Sequence, residues 1–377
     1  MRKANKRWVL GLIISISLLF VQSILVSCAS KKKEESKSTT ESFDMKAATN
    51  VADTYMKYLM KEDAENSKKF YSKELSQSSI SEENRSLKIL GYDLSETNEI
   101  GKSGLFKMRV SRSDVTKPFA SLDEYTLKIK KEDSDYKITE TNNITQKEAF
   151  IQNNQIRLRN KNNVNTNLVV DFGGIPNYAF PKDDKTNIDK ITVPKSQYGI
   201  ITFSYSGDIL ALSTFDKDAY IAVIKLEEAM AVQSSDKGGG EGGDTGAGDT
   251  GGGKQKEGGG GKAQEKPIGK DIASLDLLKN SKVEFLTFSP TEKFVTAQYT
   301  KPGIGRCIRI YKSDGGDLIP FKFEEKFPMD KVDVLFSSYD KETLNFDVVP
   351  KKSGDRSASD VVGKWQINLR DFKPKKM

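Results

Sequence analysis

The side chains able to do covalent or acid–base chemistry are few in kind. The 377-residue chain contains no His. That removes Ser–His and Cys–His nucleophile pairs and His-ligated metals together. Asp, Glu, Lys, Tyr and two Cys remain. Two carboxylates suffice for glycoside hydrolysis, but the 53 acidic residues are scattered and no spacing singles out a pair. Cys307 alternates with Ile308 and Ile310 in a strand-like stretch and has no base to activate it, so it reads as an ordinary strand thiol. Gly246-x-Gly248-x-x-Gly251 matches a dinucleotide fingerprint, and Gly248 to Lys254 matches a phosphate loop except that Gln255 replaces Ser or Thr. Neither follows a strand or opens a helix, and a Gly-rich run produces such matches by chance. Asp236, Glu241, Asp244 and Asp249 lack the recurring apolar position of calcium repeat loops. No catalytic, cofactor-binding or metal-ligating residue is assigned, and no cofactor is expected.

One Cys does have a chemical context. An uncharged stretch from Trp8 ends in Leu25-Val26-Ser27-Cys28, with Arg2, Lys3, Lys6 and Arg7 before it and Lys31, Lys32 and Lys33 after it. A basic leader stays in the cytoplasm while the apolar run enters the membrane. The arrangement resembles a bacterial lipoprotein signal with its lipobox. The resemblance implies cleavage after Ser27 and a lipid on the Cys28 thiol: a signal peptide over 1–27 and an anchor at residue 28. Two readings compete: an uncut span, because the run is long enough to cross a bilayer, and cleavage nearby by an ordinary signal peptidase. Each buried acyl CH₂ contributes about 0.8 kcal/mol, so several chains on one Cys hold a protein firmly. The Ser, Lys, Glu and Thr of 28–42 read as a disordered tether.

The formal charge of +7 falls to +3 once the four leader cations are removed. No basic face is left to suggest nucleic acid as a partner. With Cys28 used by the lipid, Cys307 has no disulfide partner, and an exported chain must rely on its packed core.

Residues 43–146 begin at helical period, with Val51, Tyr55 and Leu59 four apart and Ala48 and Met56 alongside. Lys61-Glu62-Asp63 breaks the pattern before a second amphipathic segment containing Phe70 and Leu75. The period then becomes two, through Leu87 to Leu94 (with a bulge), Phe106-x-Met108-x-Val110, Tyr125-x-Leu127-x-Ile129 and Tyr136-x-Ile138. Helices followed by about four antiparallel strands make an α+β unit that resembles an NTF2-like (cystatin-like cone) domain. The resemblance implies helices on a curved sheet. Without His, it implies a binding or structural cone rather than an enzyme. Met56, Tyr58 and Met60 are placed to line a pocket or to fill core.

Residues 147–377 read as an all-β repeat domain. Phe203-Ser204, Phe288-Ser289 and Phe336-Ser337 each end an apolar run. Each is followed by a polar turn, an aliphatic strand and a further strand. Phe288-Ser289-Pro290-Thr291-Glu292-Lys293-Phe294-Val295 resembles the signature of WD40-like and TolB-like β-propeller blades, as does the stretch from Phe203 to Ala211. The resemblance implies a propeller-like architecture, with an open β-sandwich as the alternative. The Gly-rich run, taken as 234–270, reads as a disordered insertion between repeats. The loop 173–181 reads as a plug on the blades, and Trp365 as core of the last repeat.

These features suggest an exported protein, lipid-anchored to a plasma or outer membrane through Cys28, that acts as a non-catalytic binding platform with an envelope protein or glycan as partner. A carboxylate-based hydrolase of envelope glycans and a small-ligand sensor using the cone pocket are the rivals.

Overall fold

The computed structural model describes residues 43–77, 86–183, 188–228 and 265–377. Residues 44–377 form one compact unit. The leader, Cys28 and the tether lie outside the described residues.

Helix α1 (Met45–Met60) starts where the Asp44 carboxylate accepts the N–H groups of Lys46 and Ala47, at 2.9 and 3.1 Å. Its buried stripe is Ala48, Ala52, Tyr55 and Met56, slightly rotated from the expected Val51–Tyr55–Leu59 line. The second amphipathic segment is two one-turn helices, α2 (Ala64–Lys68) and α3 (Lys73–Gln77). Between them Phe70 O accepts Ile138 N–H at 2.7 Å, and Ser72 N–H donates to Ile138 O at 2.8 Å. This strand-type pairing excludes a continuous helix.

Six strands then form one antiparallel meander: β1 (Leu87–Ile100), β2 (Ser103–Asp114), β3 (Phe119–Glu132), β4 (Asp135–Gln152), β5 (Gln155–Asn160) and β6 (Asn167–Asp171). The expected bulge in β1 falls between Ile89 and Gly91. Asn153 and Asn154, both at positive φ (52° and 58°), make the two-residue turn between β4 and β5. The expected domain boundary at 146/147 is corrected by this sheet. It cuts through the middle of β4, and the sheet continues to Asp171.

After a small pair, β7 (Tyr178–Ala179) and β8 (Ile191–Thr192), three further antiparallel sheets follow in chain order. The second sheet holds β9 (Gln197–Phe203), β10 (Ile209–Phe215), β11 (Ala219–Leu226) and β12 (Gly269–Leu278). The third holds β13 (Lys282–Phe288), β14 (Phe294–Lys301) and β15 (Gly305–Lys312). A one-turn helix α4 (Phe323–Lys326) leads to the fourth, with β16 (Val332–Tyr339), β17 (Thr343–Pro350), β18 (Gly363–Asn368) and β19 (Pro374–Lys376). The chain is therefore mostly β.

The Phe-Ser repeats have a physical basis in the first two copies. Ser204 Oγ accepts Ile209 N–H and Ser289 Oγ accepts Phe294 N–H, both at 3.2 Å, while each serine's backbone N–H donates to the same residue's carbonyl at 2.9 Å. The residue three beyond each serine has positive φ: Gly207 at 78° and Glu292 at 57°. The third copy is displaced from its expected position. Phe203 pairs with Leu210 and Phe288 with Val295, but in the fourth sheet it is Tyr339 that pairs with Leu344. The turn is shorter there, closed by Asp340 N–H to Thr343 O at 2.9 Å. Phe336 therefore lies three residues before the strand end, just ahead of a bulge between Phe336 and Ser338.

The Gly-rich insertion is also relocated. Residues 229–264 lie outside the described residues, but they connect β11 to β12, two neighbouring strands of one sheet, rather than one repeat to the next. Their C-terminal limit also precedes 270, since Ile268 is buried and Gly269 begins β12.

The four sheets are joined by two apolar clusters. On one face of the second sheet Ile201, Phe203, Leu210, Leu212 and Ile224 share a cluster with Leu122, Ala149, Leu158 and Val170 of the first. On the other, Ala211, Ile221 and Val223 share one with Leu286, Val295 and Ala297 of the third and with Val334 and Phe346 of the fourth. Trp365, half-buried and stacked on Phe346, contributes to this cluster as expected.

Because Leu226 pairs with Gly269, replacing 229–264 by a short turn should change stability by only about 1 kcal/mol through loop entropy. A protease site engineered into that run should yield two fragments that co-elute on native gel filtration. Separate elution would show that β11 and β12 are not paired.

Candidate functional site

The first sheet meets the others along the inner edges of the repeat sheets. Arg109 of β2 donates to the carbonyls of Tyr205 and Ser206 at 3.0 and 2.9 Å, and Ser111 Oγ shares a hydrogen bond with Thr202 Oγ1 at 2.9 Å. Thr287 Oγ1 donates to Leu90 O at 3.0 Å, and Tyr205 OH to Phe288 O, also at 3.0 Å. Gly91 is required at this junction, for a Cβ there would lie 2.2 Å from Tyr205 Oη. Lys57 of α1 reaches Asp340 in the turn of the fourth sheet at 2.8 Å and Asp53 at 2.9 Å. Burial lowers the Lys57 pKa, but its two carboxylate partners outweigh that and raise it; burial raises the Asp340 pKa, but Asn345 and Lys57 bring it below the ordinary value.

Beyond the junction the elements part, leaving a cavity of about 510 Å³. Its apolar surface comes from Met60, Ile89, Leu90, Val115, Phe285 and Phe336. A second cavity of about 370 Å³ extends between the β2–β3 turn and the start of β9. The two share Val115 and Glu284 as walls and so adjoin; together they are termed the groove. The Phe285 and Phe336 rings meet at 5.2 Å in a tilted pair. Displacement of Phe336 from the repeat register thus places an aromatic in the groove, whereas Phe203 and Phe288 are fully buried.

Paired carboxylates occur elsewhere, around Arg309. Its guanidinium donates to Asp276 at 2.8 Å, Glu324 at 2.8 Å and Asp183 at 2.6 Å. Tyr311 OH donates to Asp276 at 2.8 Å, and Tyr299 OH donates to Glu324. Burial pushes both tyrosine hydroxyls far above their ordinary pKa, with Asp276 adding to it for Tyr311. Burial alone would lower the Arg309 pKa, but Tyr311 and Asp276 more than restore it, so the guanidinium stays charged. Asp276 and Glu324 are therefore engaged in binding an internal cation, not presented to a substrate. A smaller buried pair, Arg112 and Asp123 at 3.3 Å, lies within the first sheet. Asp123 Oδ1 and Ser121 Oγ beside it have no hydrogen-bond partner among the described residues.

Of the residues singled out in the sequence, Cys28 lies outside the described residues. Met60 lines the groove, Met56 is core, and Tyr58 lies against Phe70 at 6.0 Å. Cys307 is a buried free thiol, its pKa raised by burial above the ordinary value. In the loop 173–181, Ile175 and Ala179 are buried while Tyr178 and Phe180 are exposed, with Lys190 over the Tyr178 ring at 4.8 Å. Val115, Glu284 and Phe285 were not identified from sequence. The only trace there was the unbroken apolar run Phe285-Leu286, which departs from strict alternation.

Removing Arg309 leaves Asp276 as an uncompensated buried charge. Arg309→Met should lower unfolding free energy by about 3–5 kcal/mol, and Asp276→Asn in the same chain should recover part of the loss, measured by urea denaturation. A loss below 1 kcal/mol would contradict the structural role of the cluster.

A scan against protein-family models finds no matching family, and a search of curated proteins finds no match. Among solved structures, TolB from Acinetobacter baumannii aligns at 9% identity and a TM-score of 0.29, over 68% of this chain and 54% of that one. The chain thus spans about half the length of that neighbour. The β-propeller domain of Cps50 (Swd1) from Myceliophteria thermophila aligns at 8% identity and a TM-score of 0.26, over 71% of this chain and 81% of that one. Sqt1 from Saccharomyces cerevisiae aligns at 11% identity and a TM-score of 0.25, over 77% and 87%. Alignments this loose say nothing about activity.

Proposed function

We propose that this chain is an exported lipoprotein, anchored to a bacterial membrane by a lipid on Cys28, whose folded unit acts as a non-catalytic platform that binds an envelope partner. The groove between the first sheet and the repeat sheets carries this reading. It is open, walled by aromatic and aliphatic side chains with charged residues at its rim, and built from the end of α1, the β2–β3 turn and strands of all four large sheets. A packed scaffold that holds such a surface in place supports recognition, since most of the cost of ordering the site is met by folding. Helix α1 over the β1–β4 face is read as an NTF2-like cone and the three later sheets as propeller-like blades. The carboxylate-hydrolase reading is not favoured, because Asp276 and Glu324 are drawn onto Arg309. The sensor reading is recast, since the groove lies between the expected cone and the blades rather than within 43–145.

Two measurements test the proposal separately. Labelled fatty acid should be incorporated into the full chain and not into Cys28→Ala; incorporation into the variant would remove the anchor assignment. A photo-crosslinking amino acid replacing Val115 should capture a discrete partner in intact cells, while the same group replacing Ile100 at the exposed end of β1 should not. Identical adducts at both positions, or none at Val115, would refute recognition through the groove.

A further inference from the structure

The groove is walled by strand edges, and those edges specify what fits it. In the first sheet β1 is an edge strand; in the second β9 is one; in the third β13 is one. Cavity-lining residues come from all three: Lys88, Ile89 and Leu90 of β1, 197–200 of β9, and 282–285 of β13. An edge strand presents a row of unpaired N–H and C=O groups, which proteins ordinarily cover.

At one end these edges are closed by the bonds of Thr287 to Leu90 O and Tyr205 to Phe288 O. Over 282–285 the only backbone partner among the described residues is β14. The β13 ladder is also bulged between Val283 and Phe285, leaving Glu284 unmatched on β14 at the point common to both cavities. The Glu284 carboxylate is already engaged, accepting from Gln298 Nε2 at 2.7 Å and from Thr300 Oγ1.

Charge narrows the choice further. Lys61, Lys88, Lys117 and Lys282 line the groove against Glu284 and Asp347. Lys88 is paired with Glu62 at 2.8 Å, and Lys117 lies 3.9 Å from Asp114. Lys61 and Lys282 are exposed and have no ion partner among the described residues. Among the described residues the groove therefore combines an edge strand whose only backbone partner over 282–285 is β14, an apolar surface at Val115, Phe285 and Phe336, and the exposed cations Lys61 and Lys282, with the lining carboxylates Asp347 and the hydrogen-bonded Glu284 likewise without an ion partner.

We infer that the groove binds an extended peptide segment of a partner protein, which adds as a strand along β13, sets an apolar side chain against Phe285 and Phe336, and presents acidic residues to Lys61 and Lys282. Main-chain hydrogen bonds supply affinity in strand addition, and alternate side chains supply specificity. This rests on the binding-platform reading above and gives it a partner class.

The test selects a library of random 12-residue peptides on the detergent-solubilised full chain. Enriched peptides should carry Asp or Glu flanking an apolar centre free of Pro. A synthetic copy methylated at alternate backbone amides should bind at least 10-fold more weakly. The Lys61→Glu, Lys282→Glu double variant changes only exposed side chains and should weaken binding about 10-fold at low salt, with less effect at high salt. Phe336→Asp should abolish binding, with circular dichroism confirming the fold. No enrichment, enrichment of basic or Pro-rich peptides, or indifference to backbone methylation would each overturn the inference. If the adduct at Val115 forms in cells but the selected peptide fails to compete with it, strand addition is wrong while the platform reading stands. If no adduct forms, that reading fails first.

Discussion

A sheet that is apolar on both faces must be covered on both faces. The second sheet is such a sheet, as β11 shows most plainly with six consecutive buried residues, Ala219 to Ile224. Its alternate side chains enter different clusters: Tyr220, Ala222 and Ile224 face the first sheet, whereas Ala219, Ile221 and Val223 face the third. Burial of apolar area at roughly 25 cal/mol per Å² is the main favourable term available to a fold whose one described cysteine, Cys307, is a free thiol. The repeat sheets provide a neighbour on one side only. On the other, Leu122, Ala149, Ile156 and Leu158 of the first sheet supply the cover. The N-terminal α+β segment is thus part of the core of the repeats, and not a module hung from them.

The same constraint generates the groove. The first sheet packs closely where Ser111, Gly91 and Tyr205 meet, and that contact holds β1 and the β2–β3 turn beside the inner strands. The space left beyond the contact is walled by both the first sheet and the repeat sheets. The aromatic surface of that space comes from Phe285 of β13 and from Phe336, which lies three residues short of the end of β16. That surface is completed by residues more than 200 positions away from Phe336, such as Met60 and Leu90.

Much of the architecture was legible in the sequence because it depends on local period and turn chemistry. Alternation at Phe106, Met108 and Val110 marks β2, and the Phe-Ser turns at 203 and 288 mark strand ends with the same serine-to-backbone bond. Phe336-Ser337 misled because an aromatic followed by Ser satisfies the pattern, although the strand continues to Tyr339. The boundary at 146/147 failed for a different reason. A hairpin strand of 18 residues looks like two short strands when its middle, from Glu140 to Asn143, is solvent-exposed and polar. The groove was legible only at Met60, which the sequence places to line a pocket or to fill core. Its residues come from positions 60, 90, 115, 285 and 336, and nothing local to any of them indicates that they meet.

If the first sheet completes the core of the second, residues 44–377 should unfold as one cooperative unit. Differential scanning calorimetry of the full chain tests this most directly, with Leu122→Ala at the interface of the first two sheets and Phe346→Ala in the fourth sheet as probes. The account predicts a single transition whose calorimetric and van't Hoff enthalpies agree, and which each substitution lowers as a whole, consistent with losses of about 2–5 kcal/mol for truncating large core side chains. Two resolved transitions, one moved only by Leu122→Ala and the other only by Phe346→Ala, would contradict it.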